Sequence, residues 1–385
     1  MIPGRSFGGD NVSRPAVAGS FYPGDNVTLN ADITDMLDQA VEDAPAPAFP
    51  KVVIVPHAGY IYSGPVAASA YDRLRPARGI VTRVVLLGPV HRVPVRGLAL
   101  PGAVAFDTPL GRIPIDAEAV ARIRDLEQVI ESPQAHAPEH SLEVQLPFLQ
   151  RVLGEFSLLP LVVGDATAEE VAQVLERLWG GPETVIVISS DLSHYLPYDD
   201  ARRIDGVTAK AILGFDTGIS HEQACGATPV TGALIAARRH GLSPQLLDLR
   251  NSGDTAGGRG RVVGYGSFAF SEGDPRFGAG HGSTLLGLAR ASIGSQLGLS
   301  AQPVMPDALW LRIVRATFVT LKKGGELRGC IGSLEAQRPL GEDVVANARA
   351  AAFRDPRFPP LVRDEFEAID VEVSLLSMPR RVLFE

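Results

Sequence analysis

Cysteine is nearly missing from this chain: Cys225 and Cys330 are its only two, and they lie far apart. They supply no disulfide framework, which fits a reducing compartment. No CxxC pair and no HExxH helix occurs, so the common zinc signatures are excluded. A Walker A loop is missing, and so is the G-x-S-x-G elbow of serine hydrolases. Gly258–Gly264 resembles a dinucleotide fingerprint, but its last spacing is wrong and it precedes a strand instead of following one. There is no apolar run of membrane-spanning length, and the start lacks the basic-then-apolar pattern of a signal peptide. The Asn-x-Ser/Thr matches at Asn11 and Asn26 therefore read as chance, and the expected location is cytoplasmic. Positive charge is also scarce: a net charge of -8 leaves no basic footprint for nucleic acid. No internal repeat or low-complexity tract appears.

What the chain does have is three apolar runs that each end in a histidine-bearing loop. Lys51–Val55 leads into Pro56-His57-Ala58-Gly59-Tyr60, and Arg83–Leu87 leads into Gly88-Pro89-Val90-His91. Thr184–Ile188 leads into Ser189-Ser190-Asp191-Leu192-Ser193-His194-Tyr195. Short Val/Ile/Leu runs interleaved with helical patterns read as buried strands of a mostly parallel central sheet flanked by helices, an α/β fold. Ligands in such sheets bind outside the carboxyl ends of the strands. His57, His91, and Asp191 with His194, are thus delivered to one rim, where a metal or acid/base site is expected.

At 385 residues the chain is long enough for two domains. Residues 1–12 read as a disordered leader, 13–272 as the histidine-bearing domain, 273–282 as a Gly/Pro-rich linker and 283–385 as a second domain. Helices are expected near 30–41, 65–74, 116–126, 139–153, 168–178 and 284–293, with strands at 158–163, 261–270, 311–321 and 370–376.

Several further residues admit two readings. Cys225 opens a small-residue helix, either as a buried apolar thiol or as a soft ligand. His140 and Glu143, three apart on the expected 139–153 helix, either orient a ligand or cap the helix start. His136 either joins them or sits in an exposed loop. Cys330, between Gly329 and Ile331, is a packed residue at a turn or a reactive thiol. Arg328 is an anion holder or an ordinary exposed arginine.

Five motifs in order, Arg14–Pro23, Pro56–Tyr60, Gly88–His91, Glu139–Glu143 and Ser190–His194, resemble the Memo (mediator of cell motility) family over about residues 12–271. That family resembles the class III (LigB-type) extradiol dioxygenases in fold. The resemblance implies His57 and His91 as metal histidines and His194 as acid/base. It also puts Cys225 near the place of the dioxygenase carboxylate. Leu327–Gly332 and Ala351–Leu361 resemble the AMMECR family, an α+β domain of which this chain carries a part. Together they resemble components of the AmmeMemoRadiSam system, which implies a radical SAM protein as partner.

The resulting expectation is metal-dependent redox chemistry on an unknown small molecule or peptide. His57, His91 and Cys225 would hold the metal, Fe(II) first, with Cu or Zn as alternatives. His194, Asp191 and His140 would serve the chemistry. The alternative is a non-catalytic metal- or peptide-binding module in the same cleft. Zinc hydrolysis ranks below both, because no dedicated general-base Glu stands out near the ligand loops. A homo-oligomer is left open.

Overall fold

The computed structural model describes residues 11–40, 49–272, 279–312 and 314–376. It divides into two compact units, one made of the described residues up to Glu272 and one of those from Ala279 onward. Most of the leader and of the linker lies outside the described residues. Val12–Ser13 is already a strand, and the helix expected from Thr284 begins at Ala279.

In the first unit four strands run parallel and side by side, in the order Val52–Val55, Thr184–Ser189, Arg83–Pro89, Ser157–Val163. All are almost wholly apolar and buried on both faces, as parallel strands covered by helices must be. Val85, Leu87, Ile186 and Ile188 pack on one face with Val174, Leu175 and Leu234 from the flanking helices. Helix Ala168–Leu178 is fixed at its start by a reciprocal capping box between Thr167 and Glu170.

The sheet is less uniformly parallel than expected. Beyond the central four, Val262–Glu272 pairs antiparallel with Val52–Val55 and also with Leu242–Asn251 and His194–Leu196. At the other end Leu98–Leu100 pairs antiparallel with Ser157–Val163. The architecture is therefore mixed α/β with a parallel centre. Leu242–Asn251 has no clean alternation of buried and exposed residues, so its pattern announced no strand.

The expected helix 139–153 is also corrected. Residues 139–142 form a loop, a single 3-10 turn covers Glu143–Gln145, and the α-helix spans Leu146–Leu153. The Glu139 carboxylate accepts the backbone N–H groups of His140 (3.0 Å) and Ser141 (2.9 Å). A side chain that bonds its neighbours' backbone in this way competes with helix formation. Helix Tyr60–Asp72 starts earlier than expected and takes Pro65 inside it.

In the second unit, helices Ala279–Gln296 and Leu340–Phe353 cover one face of a three-stranded antiparallel sheet. Thr317–Lys323 is central, between Glu326–Gly332 and Ile369–Leu375. The strand expected over 311–321 is shorter, because Leu309–Arg312 is helical. Its core includes Leu288, Ile293, Val319, Leu321, Val344 and Ala348. Arg328 is already engaged, forming two hydrogen bonds to the Glu365 carboxylate, at 3.2 and 2.9 Å. Cys330 places its sulfur 3.2 Å from the Thr320 hydroxyl, and its backbone N–H on Asp355.

Candidate metal centre

The three histidine-bearing loops leave adjacent parallel strands at the same end. Strand Thr184–Ser189 lies between the other two, so the turn at Ser189–Asp191 touches both. The Asp191 carboxylate accepts the backbone N–H of His57 at 2.7 Å, which ties the first loop to the third. The 139–145 segment then crosses beneath. Its Ser141 hydroxyl donates to the Pro89 carbonyl (2.8 Å), and its Gln145 amide donates to the Pro56 carbonyl (2.9 Å). Gly88 admits this approach: a Cβ there would stand 2.9 Å from both Leu142 and the Ser141 oxygen.

The result is a triangle of imidazoles. One ring nitrogen from each of His57, His91 and His140 lies within 4.8 Å of the other two. The His91 and His140 rings stack at 4.8 Å, and both meet the His57 ring edge-on, at 5.2 and 5.5 Å.

Hydrogen bonds fix the tautomers of two of these rings. Ser189 has one hydroxyl proton and donates it to the Ser141 carbonyl at 2.6 Å. Towards His57 Nδ1, 2.9 Å away, its oxygen is therefore an acceptor, and Nδ1 carries the hydrogen. His91 Nδ1 lies 2.9 Å from Glu139 Oε1, and His140 Nδ1 lies 3.3 Å from the same oxygen. Glu139 is ionised: burial pushes its pKa up, but the His91 ring and the N–H groups of Ser141 and His91 bring it down to about 2. Hydrogen-bonded to a carboxylate, the His91 ring places its hydrogen on Nδ1. His57 and His91 thus keep a lone pair on Nε2, the arrangement that carboxylate and hydroxyl partners impose on metal-binding histidines, while the His140 ring sits at ion-pair distance from Glu139.

Burial also keeps two of the rings neutral. It drives the His57 pKa well below its ordinary value, helped by the fields of His91 and His140. It lowers His140 to about 4. Three converging imidazoles suit Zn, Cu or Fe.

Cys225 stands beside this triangle. Its sulfur is 3.3 Å from His57 Nε2, and burial followed by the Asp191 charge pushes its pKa up to about 12. At neutral pH it is a thiol, with the His57 ring and the Asp191 carbonyl as its nearest partners. The structure thus gathers His57, His91 and His140 as the histidine group and sets Cys225 against one member.

The other expected residues take separate places. Asp191 is buried, with its carboxylate on the His57 backbone, and burial raises its pKa to about 6. His194 is half-buried at the start of strand His194–Leu196 and acts electrostatically on both His57 and Asp191. Glu143 does not face the rings. It holds the 14–23 loop by accepting from the Ala16 and Val17 N–H groups and the Tyr22 hydroxyl, and that loop lays Phe21 4.8 Å from the His140 ring. His136 is buried, not in an exposed loop, and its Nε2–H donates to the Ala99 carbonyl.

Sequence reasoning assigned no role to Glu139, Ser189 or Gln145. Glu139 stands at the ligand loops, but not as a general base. Its oxygens are already occupied by four N–H groups, three backbone and the His91 ring, so it orients and does not serve as a free base. Its place next to His140 in the sequence was the available signal.

Residues 13–269 match the Memo family, described as "Memo-like protein". A MEMO1 family protein of Aquifex aeolicus is 37% identical over 267 residues, covering 66% of this chain and 97% of that protein. The chain belongs to the Memo family. A second relative, the MEMO1 family protein of Metallosphaera sedula, is 34% identical over 280 residues, covering 67% of this chain and 99% of its own. Beyond the Memo region, residues 286–385 match the AMMECR1 family. Among solved structures, an uncharacterized protein of Pyrococcus horikoshii is 36% identical over 25% of this chain, with a TM-score of 0.24. The chain spans about half of that protein's length, 51%. No helix among the described residues is long and apolar enough to cross a membrane.

Proposed function

We propose that this Memo-family chain is a non-haem metalloprotein whose centre performs redox chemistry on an unidentified small molecule or peptide. The observation that carries the reading is the convergence of three imidazoles, two of them with the Nδ1 hydrogen turned outward onto Ser189 or Glu139. His57, His91 and His140 would hold the metal, with the Cys225 sulfur close enough to join and to favour a softer ion. Fe(II) is the first candidate, with Cu or Zn next, by the resemblance to class III extradiol dioxygenases. Bound there, such an ion would supply electron transfer and Lewis acidity.

The chain's own residues would do the rest. Ser189 and Glu139 hold the rings in register, Asp191 pins the His57 loop, and His194, outside the triangle, can hold or release a proton. Partnership with a radical SAM protein follows from the same family resemblance. The test is anaerobic loading with Fe(II), Cu(I) and Zn(II), followed by metal analysis and oxygen-consumption assays. Stoichiometric uptake with Fe- or Cu-dependent oxygen consumption is the expected result. Uptake without any turnover, or peptide binding that ignores chelators, would favour a binding module instead.

A further inference from the structure

Arg261 stands one residue before strand Val262–Glu272, whose Val262 and Val263 pair with Leu196 and His194. Its guanidinium lies over the Tyr195 ring, 5.1 Å from the centroid. The Tyr195 ring is in turn 5.8 Å from that of His194, which acts on His57 and Asp191. A chain of neighbours therefore runs from the histidine triangle out to an exposed arginine.

Two features set this pair apart from ordinary surface decoration. Tyr195 has φ +59°, and Phe215 is the other described non-glycine residue with a positive φ. That backbone is strained for a bulky aromatic, and strain of this kind collects at ligand clamps. The register slip between His194 and Leu196 produces it, since a bulge re-aims the side chain at its centre. The ring is turned outward and left 63% exposed, so core packing gives no reason for the strain.

The second feature is charge. Arg83, Arg177, Arg239 and Arg250 of the same unit each meet a carboxylate. Among the described residues no carboxylate lies within ion-pair distance of Arg261, which lies over the Tyr195 ring, as Arg259 lies over the Tyr198 ring at 4.4 Å. A guanidinium laid on an aromatic face keeps its edge N–H groups free for two parallel bonds to an oxyanion.

We infer that Arg261, stacked on Tyr195, docks an oxyanion of the substrate, a carboxylate or a phosphate monoester, and holds it beside His194. The inference rests on reading the triangle as a substrate-processing metal centre. The experiment titrates benzoate, phenyl phosphate and the neutral control benzamide into the full-length protein, with and without bound Fe(II). Side-chain NMR signals of Arg261 and His194 report binding.

At least one anion should saturate and shift both residues, benzamide should not, and Arg261→Gln should weaken binding at least tenfold. Arg238→Gln, removing an exposed arginine at the far end of helix Ala227–Arg239, should leave binding unchanged. Saturation by benzoate alone identifies a carboxylate, and by phenyl phosphate alone a phosphate ester. Unchanged binding in Arg261→Gln, equal loss in Arg238→Gln, equal affinity for benzamide, or no saturation by either anion overturns the inference. Anion binding through Arg261 in a chain that takes up no metal would sink the metal reading and leave the docking site standing. Metal uptake without Arg261-dependent binding would do the reverse.

Discussion

Glu139 takes both the backbone N–H and the ring Nδ1–H of His91, at 2.6 and 2.9 Å. One carboxylate thereby sets the position of the loop and the tautomer of the ring it carries. Glu139→Gln keeps the shape but loses the charge and offers an amide that cannot accept at both positions. Metal affinity should fall by about 10- to 100-fold, the usual cost of losing such an outer partner. Anaerobic titration calorimetry with Zn(II) or Fe(II) checks this, and unchanged affinity would mean Glu139 is only a loop anchor.

The ligand set is separable by single substitutions. His57→Ala, His91→Ala and His140→Ala should each abolish stoichiometric binding. Cys225→Ser should retain a metal and shift preference away from the softer Cu(I). His194→Gln should leave metal content intact, because that ring lies outside the triangle. Metal analysis of the five variants decides between His140 and Cys225 as the third principal ligand. Full metal content in His140→Ala together with loss in Cys225→Ser would reverse the assignment drawn from the geometry.

Acidification should act on named groups with opposite signs. Burial lowers His136 and His140 to about 4, so their neutral forms belong to the fold. The stability they contribute is complete above their ordinary 6.5 and is lost as pH falls through about 4. Asp205 is the reverse case. Burial raises it to about 6, so stability grows as pH falls from 6 toward its ordinary 3.8. Asp205→Asn removes that compensation, and its urea midpoint should drop more steeply than wild type between pH 6 and pH 4. A parallel pH dependence in the two proteins would contradict the assignment. NMR titration of His136 should show its midpoint near pH 4.

In the second unit Asp343 is the buried hub. One oxygen accepts from the Thr317 N–H, the Thr317 hydroxyl and the Asn347 amide, and the other accepts from Arg338. Asp343→Ala strands those donors and should destabilise this unit by at least about 1–3 kcal/mol, the cost of a buried donor left unsatisfied. Metal binding at the triangle should not change. Calorimetry of the loaded variant, in which the metal-dependent transition stays in place while another moves down, checks both halves.

The parallel centre was legible because its strands are short, apolar and buried on both faces, and three of the four are followed by a histidine within a few residues. That local adjacency is why the sequence alone puts His57, His91 and Asp191 on one rim. His140 was harder, since it reaches the triangle from a segment that belongs to no strand end. The leucine spacing from Leu142 to Leu153 reads as one helix, but Glu139 captures the N–H groups that would begin it. Periodicity reports which residues are buried and is silent on such capture. The antiparallel flank was missed for a related reason: Leu242–Asn251 is a half-exposed strand without clean alternation, although its partner Val262–Glu272 is the next strand in the chain. Asp205 also stood outside sequence reasoning. It sits mid-helix with an ordinary acidic neighbourhood, and its role appears only when its carboxylate meets the Ser193 N–H at 3.0 Å.

The most direct test of the central claim is X-ray absorption at the metal edge of anaerobically loaded wild-type protein beside His140→Ala. The account expects stoichiometric metal with three imidazole nitrogens in its coordination sphere, and at most one sulfur. In the variant that sphere should be lost or short of one nitrogen. A wild-type chain that binds none of Fe(II), Cu(I) or Zn(II), or a sphere unchanged by His140→Ala, would contradict it.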